Sequence, residues 1–338
     1  MKIAAMLGEG RAGLVERPRP KGGGPFAVVE VRTVPMCTEY KAFRDGHRGE
    51  GFGHEAAGEV VEAPGSGRVR PGDRVVVMPI SPCGRCALCL QGEYIHCQNL
   101  VDPLAATGSE TGTATYAQYL LKQDWLLVPI PAGMSYEHAA MACCGLGPTF
   151  GAMQRLQVGA FDTVLITGMG PVGLGGVINA TCRGARVIAV EGHPYRARLA
   201  ADLGAEVVLD PADPAILEAI LELTEGRGVD RAVDCSGAAP AHRLMVDALR
   251  RRGAGAFVGE GGEFPLAASR DMIRKGLALH GVWHYNLGDT PAILEVIAAA
   301  TAQLDRLITH RFPMSRVQEA WELQVTGACG KVMLDPWT

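Results

Sequence analysis

The sequence predicts an α/β protein in two parts, a β-rich N-terminal part and a second part built on a doubly wound parallel sheet. Short apolar runs bounded by Gly, Pro and Asp fill residues 26–130, which is typical of strands joined by turns. From about Gly159 onward, short apolar runs alternate with amphipathic stretches of helix length, and that alternation indicates a parallel sheet covered by helices. A chain of 338 residues exceeds what one hydrophobic core usually serves, so we expect it to divide once.

The expected elements follow from these apolar runs. In the first part the runs 27–31, 57–61 and 74–78 predict strands. In the second part strands are expected at 163–167, 186–190, 206–209, 231–235 and 254–258. A helix at 290–304 and a terminal strand at 331–334 are too little for a third domain, so we expect them to fold back onto the first part.

Composition and charge exclude several classes of function. A formal net charge of −4 and the lack of a basic stripe argue against a nucleic-acid partner. The apolar stretch at 171–180 is too short for a membrane span, and the N-terminal one is too short for a signal peptide. We therefore expect a cytoplasmic protein with no membrane partner, whose 10 cysteines are metal ligands or buried side chains rather than disulfides.

The run after 163–167 matches a dinucleotide-binding loop. It has glycines at its first, third and sixth positions and opens a helix-like stretch that reaches about residue 183. The first two glycines permit a tight turn close to the pyrophosphate, and the third lets helix and strand pack closely. The helix N-terminus presents free N–H groups to the phosphates. The residues expected to bind the cofactor here are Gly168, Gly170, Pro171, Val172 and Gly173.

Glu191 favours NAD over NADP. It follows the next expected strand, 18 residues after Gly173, where a carboxylate accepts hydrogen bonds from the adenosine ribose and repels a 2′-phosphate. Arg196 and Arg198 keep some tolerance of NADP open, because either side chain can reach the ribose or a phosphate. The alternative is that the glycines only shape a turn in an α/β domain.

Four cysteines in the segment 80–100 predict a structural metal site. Cys83, Cys86, Cys89 and Cys97 follow the pattern C-x2-C-x2-C-x7-C, and four thiolates close a tetrahedral shell around Zn²⁺ with no vacancy. An iron–sulfur cluster is the chemical alternative, but the long last spacing argues against it. Free surface thiols are the other alternative, and they would be an oxidation liability. We expect the adjacent His96 to be a bystander.

Five motifs in order give the chain a family resemblance. They are G-H-E-x-x-G at 53–58, P-G-D-R-V at 71–75, the four-cysteine lobe, the glycine loop and G-K-V at 330–332. Together they resemble the medium-chain zinc-dependent alcohol and polyol dehydrogenases, in the branch of the sorbitol and threonine dehydrogenases. The resemblance implies a GroES-like catalytic domain over 1–146 and 285–338, with its zinc lobe at 80–100. It also implies an NAD-binding Rossmann domain over 147–284.

The same resemblance implies a catalytic zinc in addition to the structural one, and so two zinc ions per chain. Cys37 and His54 are then two ligands, and Glu55 is the adjacent carboxylate that approaches the metal during ligand exchange. Cys144 is the preferred third ligand because a Gly-rich step follows it, and Cys143 is the alternative. Two cysteines and one histidine with an open fourth position suit a zinc that binds an alcohol.

The chain departs from the family pattern after Cys37. The family reads C-G-[ST]-D there, whereas this chain reads Cys37-Thr38-Glu39-Tyr40, and the segment from Cys37 to His54 is short. If one residue is missing, Thr38 relays the substrate proton, Glu39 replaces the family Asp, and Lys41 stands near the relay. Without a gap, Glu39 faces the zinc and Thr38 is structural.

These features predict hydride transfer between a small secondary alcohol and NAD, with the zinc lowering the pKa of the alcohol. A polyol, sugar or aminocyclitol is the expected substrate class. An amino alcohol such as threonine and a catalytically silent nucleotide-binding relative are the alternatives. Candidate contacts to a hydroxylated ligand are Glu39, Glu55, Trp283, His284 and Tyr285, although 280–285 equally suits an edge strand at a subunit contact. The resemblance implies a homodimer or homotetramer.

Overall fold

The computed structural model describes residues 1–338. Its strands are β1 (Lys2–Gly8), β2 (Arg11–Glu16), β3 (Phe26–Pro35), β4 (Arg48–Gly49), β5 (Ala56–Glu62), β6 (Arg74–Val77), β7 (Tyr119–Gln123), β8 (Leu127–Pro129), β9 (Thr163–Thr167), β10 (Arg186–Val190), β11 (Val207–Leu209), β12 (Val229–Asp234), β13 (Leu249–Phe257), β14 (Ala278–Gly281), β15 (Ile308–Pro313) and β16 (Lys331–Asp335).

Helices join and cover these strands. They are α1 (Tyr40–Arg44), α2 (Ala87–Leu90), α3 (Pro103–Thr107), α4 (Tyr136–Ala140), α5 (Gly147–Arg155), α6 (Pro171–Thr181), α7 (Pro194–Asp202), α8 (Ile216–Leu223), α9 (Ala239–Ala248), α10 (Thr290–Ala299), α11 (Thr301–Leu307) and α12 (Val317–Thr326). A π-helical turn spans Ala268–Ile273. None of the helices combines the length and apolar character that crossing a membrane needs.

The chain divides into two compact units. The first unit comprises 1–145, 286–298 and 308–338, and the second comprises 146–285 and 299–307. The sequence placed all of 285–338 in the first domain, whereas α11 groups with the second unit. The reason lies in its contacts, because the Gln303 amide donates to Leu203 O at 3.0 Å and Arg306 donates to Asp202 O at 2.9 Å. The expected single helix at 290–304 is two helices.

The first unit is built on a seven-stranded sheet. The strand order is β15-β16-β3-β5-β6-β8, and β7 pairs with β3. Successive side chains of a strand point to opposite faces, and Val29, Val31 and Val60 of β3 and β5 lie in the main core of this unit, around the fully buried Trp321. A separate three-stranded sheet has the order β2-β1-β4. The β-rich texture expected for 26–130 is present.

The second unit is a parallel sheet of six strands. Its order, β11-β10-β9-β12-β13-β14, is the doubly wound order 3-2-1-4-5-6, and each neighbouring pair is parallel. The core strand β9 is buried over Val164–Thr167, which explains its continuous apolar run. The order reverses between β9 and β12, where ligands bind such sheets at the carboxyl ends of the strands. The predicted α/β class is confirmed.

Candidate functional site

The first unit carries the four-cysteine lobe. The sulfur atoms of Cys83, Cys86, Cys89 and Cys97 all lie within 4.8 Å of one another, and His96 is outside this group. Backbone N–H groups point at the sulfurs, as in the 3.2 Å hydrogen bond that Cys83 N donates to Cys97 Sγ. Such N–H donors lower the pKa of the Cys86 thiol to about 6. Converging sulfurs with donors to stabilise thiolates are the chemistry that a tetrahedral Zn²⁺ site requires.

Asn286 holds the lobe in place, and sequence analysis did not single it out. Its amide donates to Gln91 O at 2.8 Å and to Glu93 Oε1 at 3.0 Å. Gly92 lies directly against it, since a Cβ at Gly92 would come within 2.1 Å of Asn286 Oδ1. An asparagine in a loop after an apolar segment carries no signal of this contact in the sequence, because its partners are about 195 residues away.

A second cluster brings together four of the predicted residues. Cys37 follows β3, His54 and Glu55 precede β5, and Cys144 follows α4. Their ligand atoms all lie within 4.8 Å of one another, with His54 Nε2 3.2 Å from Cys144 Sγ. Glu55 Oε1 lies 4.0 Å from His54 Nε2. Residues from three separate stretches of the first unit thus converge on one point.

The two adjacent cysteines point to different places. Cys143 is fully buried and its thiol donates to Val77 O at 3.3 Å, so it packs against β6 outside the cluster. Cys144 faces the cluster, and its backbone N–H donates to Glu55 Oε2 at 3.1 Å. The geometry therefore offers the sulfur of Cys144, and not that of Cys143, to a metal ion.

In the second unit, the glycine loop has the strand-loop-helix setting that the motif needs. Gly168 follows β9 with a φ of +82°, and Pro171 and Val172 form the first turn of α6. A Cβ at Gly173 would lie 1.9 Å from Gly168 O, so only glycine lets the helix pack this closely. Nothing lies within 4 Å of a Cβ placed at Gly170, which leaves its backbone open to a ligand.

Glu191 lies immediately after β10 and braces this loop. Its carboxylate accepts hydrogen bonds from Met169 N and His193 N, both at 2.7 Å. Arg196 lies half-buried in the first turn of α7. The predicted acidic residue is thus placed beside the glycine loop, at the carboxyl end of β10.

Family models match most of both units. Residues 26–132 match the alcohol dehydrogenase GroES-like domain, and residues 171–299 match the zinc-binding dehydrogenase domain. The uncharacterized zinc-type alcohol dehydrogenase-like protein YphC of Escherichia coli is 34% identical, over 85% of this chain and 81% of its own. The chain belongs to the zinc-type alcohol dehydrogenase family. The predicted zinc-dependent oxidoreductase of the GroES-like and Rossmann type is therefore confirmed.

Further relatives of this alcohol dehydrogenase are named for different substrates. Sorbitol dehydrogenase of Bacillus subtilis is 30% identical over 99% of this chain and 97% of its own. L-threonine 3-dehydrogenase of Thermococcus kodakarensis is 31% identical over 96% and 95%. Among solved structures, the alcohol dehydrogenase TADH from Thermus sp. ATN1 has a TM-score of 0.88 over 99% of both chains at 24% identity, which shows the shared fold.

Glu39 contacts the Nδ1 atom of His54 in this dehydrogenase, the imidazole nitrogen that faces away from Cys144. Glu39 Oε1 lies 2.9 Å from His54 Nδ1, and Glu39 Oε2 accepts a hydrogen bond from Cys37 N at 3.1 Å. The carboxylate therefore sits on the Nδ1 side of the imidazole, while Nε2 faces Cys144. This is the arrangement that orients histidine ligands in metal sites. Thr38 and Lys41 are exposed at the start of α1.

Lys331 is a site residue that sequence analysis quoted in a motif but gave no role. Its ammonium lies 2.8 Å from Glu55 Oε1, and both side chains are fully buried. Burial raises the pKa of Glu55 to about 8 against the opposing charge of Lys331. Burial disfavours the Lys331 ammonium, but the negative charges of Glu55, Cys37 and Cys144 together outweigh burial and raise the lysine pKa. A lysine inside an otherwise apolar strand was the available signal.

The donor set of the second cluster fits a catalytic zinc ion. A hydrogen bond from the Cys144 thiol holds the pKa of Cys37 well below its usual value. Burial lowers the pKa of His54, but hydrogen bonds with Cys37 and Glu39 outweigh it and raise the pKa to about 11. The thiol of Cys37 therefore ionises readily to the thiolate that binds a cation. Zinc binding must also displace the proton on His54.

Asp234 connects the strand before the glycine loop to the loop after β12, and nothing in the sequence singles it out. Its buried carboxylate accepts hydrogen bonds from Thr167 Oγ1 at 2.7 Å, Gly237 N at 2.9 Å and His242 Nε2 at 3.0 Å. Thr167 immediately precedes Gly168. One carboxylate therefore ties the end of β9 to the loop after β12.

Proposed function

We propose that this alcohol dehydrogenase binds two zinc ions per chain, one at each cluster. Cys37, His54 and Cys144 hold the catalytic ion, with Glu55 as the nearby carboxylate for ligand exchange. The structural ion is held by the four sulfurs of the lobe, Cys83, Cys86, Cys89 and Cys97. The observation that carries the proposal is the convergence of the first three side chains with Glu55 within 4.8 Å.

The residues of the two units then have separate tasks in oxidation of an alcohol by NAD. When bound, zinc lowers the pKa of an alcohol hydroxyl, and NAD accepts a hydride from the adjacent carbon. The products are the ketone, NADH and one proton. Glu39 holds the His54 ring so that Nε2 faces the metal position. Thr38, exposed and next to Cys37, is proposed to carry the proton outward.

We propose the glycine loop and its neighbours as the NAD site of the second unit. The N–H groups at the start of α6 meet the pyrophosphate, and the open space at Gly170 lets it approach. Glu191 is proposed to accept hydrogen bonds from the ribose hydroxyls in addition to the one that it accepts from Met169 N. Arg196 is proposed to contact the adenosine half of the cofactor. The carboxylate of Glu191 disfavours the extra phosphate of NADP.

The proposed substrate class is a secondary alcohol of a polyol, sugar or aminocyclitol. The sorbitol dehydrogenase relative supports it. Glu39 and Glu55 are withdrawn as candidate substrate contacts, because their carboxylates are engaged by His54 and Lys331. The strand β14 ends at Gly281, so the segment 283–285 follows the edge strand rather than forming it. We retain a homodimer or homotetramer in the cytoplasm as part of this proposal.

An amino alcohol is the second candidate, and the threonine dehydrogenase relative favours it. The experiment that separates the two is a panel of substrates with the purified, zinc-loaded protein and NAD, following NADH absorbance. Sorbitol, xylitol and arabitol test the first class, and L-threonine tests the second. We expect turnover of polyols with a secondary hydroxyl. Turnover of threonine alone would show that the substrate is an amino alcohol rather than a polyol. No turnover of any alcohol would favour the alternative that the chain is a catalytically silent nucleotide-binding relative.

A further inference from the structure

The buried Tyr116 is connected to His54, a proposed ligand of the catalytic zinc, through two successive polar contacts. The hydroxyl of Tyr116 donates to Glu39 Oε2 at 3.1 Å. The other oxygen of the same carboxylate, Oε1, lies 2.9 Å from His54 Nδ1. The side chain of Glu39 is 11% exposed, so few water molecules can replace these partners. Tyr116, Glu39 and His54 therefore form one continuous chain of polar contacts.

The position of Tyr116 is set by packing against its ring. It stacks on Trp321 with ring centroids 5.8 Å apart, and Trp321 stacks in turn on Phe43 at 5.5 Å. Gly53 also lies against the ring, since a Cβ there would come within 2.3 Å of Tyr116 Cδ1. Gly53 immediately precedes His54. The hydroxyl of Tyr116 is thus held at a fixed place relative to the backbone of the ligand.

The hydroxyl completes the hydrogen bonding of Glu39. Glu39 Oε2 accepts from Cys37 N and from Tyr116 Oη, both at 3.1 Å, while Oε1 faces His54. Two donors on one oxygen fix the rotation of the carboxylate plane, which fixes the direction from which Oε1 meets the imidazole. Without the hydroxyl, the backbone N–H alone restrains that rotation.

We propose that Tyr116 is a positioning residue for the zinc ligand His54, acting through Glu39. The hydroxyl locks the Glu39 carboxylate, and the locked carboxylate sets the orientation of the imidazole toward the metal. The inference rests on the proposed catalytic zinc site. It concerns zinc retention and the rate of the chemical step, and not the binding of NAD.

The matched pair Tyr116→Phe and Tyr119→Phe tests the proposal. Both remove one phenolic hydroxyl from the segment 116–119, but Tyr119 Oη contacts Glu30 Oε2 at 3.5 Å, away from the cluster. Phenylalanine preserves the ring that stacks on Trp321, so Tyr116→Phe should fold. We expect zinc to leave the catalytic site of Tyr116→Phe to a chelator about 3- to 10-fold faster, below the range for direct partners of metal ligands. We expect kcat to fall by a similar factor with the KM for NAD unchanged.

A double-mutant cycle with Glu39→Gln separates positioning from general packing. Because Tyr116 acts through the Glu39 carboxylate, we expect Tyr116→Phe to add little to the zinc release rate once Glu39 is already Gln. The visible absorption of the Co²⁺-substituted protein should shift in Tyr116→Phe and not in Tyr119→Phe. Purely structural packing would instead give additive effects in the cycle and an unchanged Co²⁺ spectrum.

The outcomes distinguish this inference from the proposed function. If the unsubstituted protein holds about two zinc ions but Tyr116→Phe behaves like Tyr119→Phe in zinc release and kcat, the positioning role is wrong and the zinc site stands. If the unsubstituted protein holds no zinc at Cys37, His54 and Cys144, the proposed function fails, and the inference fails with it.

Discussion

At the scale of single residues, the side chains that converge in the two clusters were predictable, and the residues that support them were not. Cys37, His54 and Cys144 carry a spacing and order that a sequence can show. The partners of Lys331 and Asn286 lie 276 and 195 residues away in the chain, so the sequence does not show those contacts, although a lysine beside apolar strand residues is unusual. The sequence also does not separate Cys143 from Cys144, since the two residues are adjacent and only their different contacts distinguish them.

Gly53 offers a residue-scale prediction, with Gly51 as its control. Both have left-handed backbone, with φ of +89° and +78°. A Cβ at Gly53 would lie 2.2 Å from Thr115 Oγ1, whereas nothing lies within 4 Å of one at Gly51. We expect Gly51→Ala to cost about 1 kcal/mol of backbone strain, and Gly53→Ala to cost at least about 2 kcal/mol more because its methyl group also clashes with the buried Thr115 and Tyr116.

Denaturant unfolding of the two variants measures the difference. Gly53→Ala should also lose zinc faster than Gly51→Ala, since the clash displaces Tyr116, whose hydroxyl donates to the Glu39 carboxylate that contacts His54. Equal stability of the two variants would show that the packing around Gly53 yields, and that its backbone conformation alone explains the glycine.

At the scale of elements, the parallel sheet was the more predictable part. The strands β9 and β10 have the expected bounds, because fully buried parallel strands are continuous apolar runs. The strand β13 begins five residues before the expected 254, at Leu249, since three consecutive arginines at its start hide it from an apolar pattern. The break between α10 and α11 was also missed, because both helices share one apolar periodicity.

The glycine loop yields a prediction for an element. Gly173→Ala places a Cβ 1.9 Å from Gly168 O, so the loop itself must shift. Gly170→Ala meets nothing within 4 Å in the protein, and its methyl group obstructs only the pyrophosphate. We expect both variants to lose at least about tenfold in affinity for NAD, a loss of about 1.4 kcal/mol.

Only Gly173→Ala should also lower the melting temperature without cofactor. Titration of protein fluorescence with NAD and a thermal melt measure the two properties. A Gly170→Ala variant with full affinity would mean that the backbone at this position does not approach the cofactor.

At the scale of the whole molecule, Lys122 makes stability depend on pH. Its ammonium is buried in the first unit, where it donates to Ile80 O, and burial lowers its pKa to about 7. The unfolded chain keeps the proton up to a pKa of about 10.4. Between these two pKa values the unfolded state binds more protons than the folded state, so the free energy of unfolding rises with pH. Below about pH 7 the buried ammonium is charged in the folded protein, and its full destabilising effect is present.

Lys122→Met removes this dependence. From about pH 6 to about pH 9 we expect the unsubstituted protein to gain about 2 kcal/mol relative to the variant. In the variant, the carbonyl of Ile80 loses its hydrogen-bond donor. This loss lowers the stability by the same amount at every pH, so it does not alter the slope of stability against pH. Lys21→Met, on the exposed surface, is the control and should follow the unsubstituted protein. Parallel pH profiles of Lys122→Met and the unsubstituted protein would contradict the shifted pKa.

Zinc content per chain tests the central claim, two metal sites with distinct tasks, most directly. We expect about two zinc ions in the unsubstituted protein and in Cys143→Ser, whose sulfur packs on Val77. Cys144→Ser should hold about one, with dehydrogenase activity lost and the melting temperature retained, and Cys97→Ser should hold about one with a lowered melting temperature. About one zinc ion in the unsubstituted protein, unchanged by Cys144→Ser, would contradict the account.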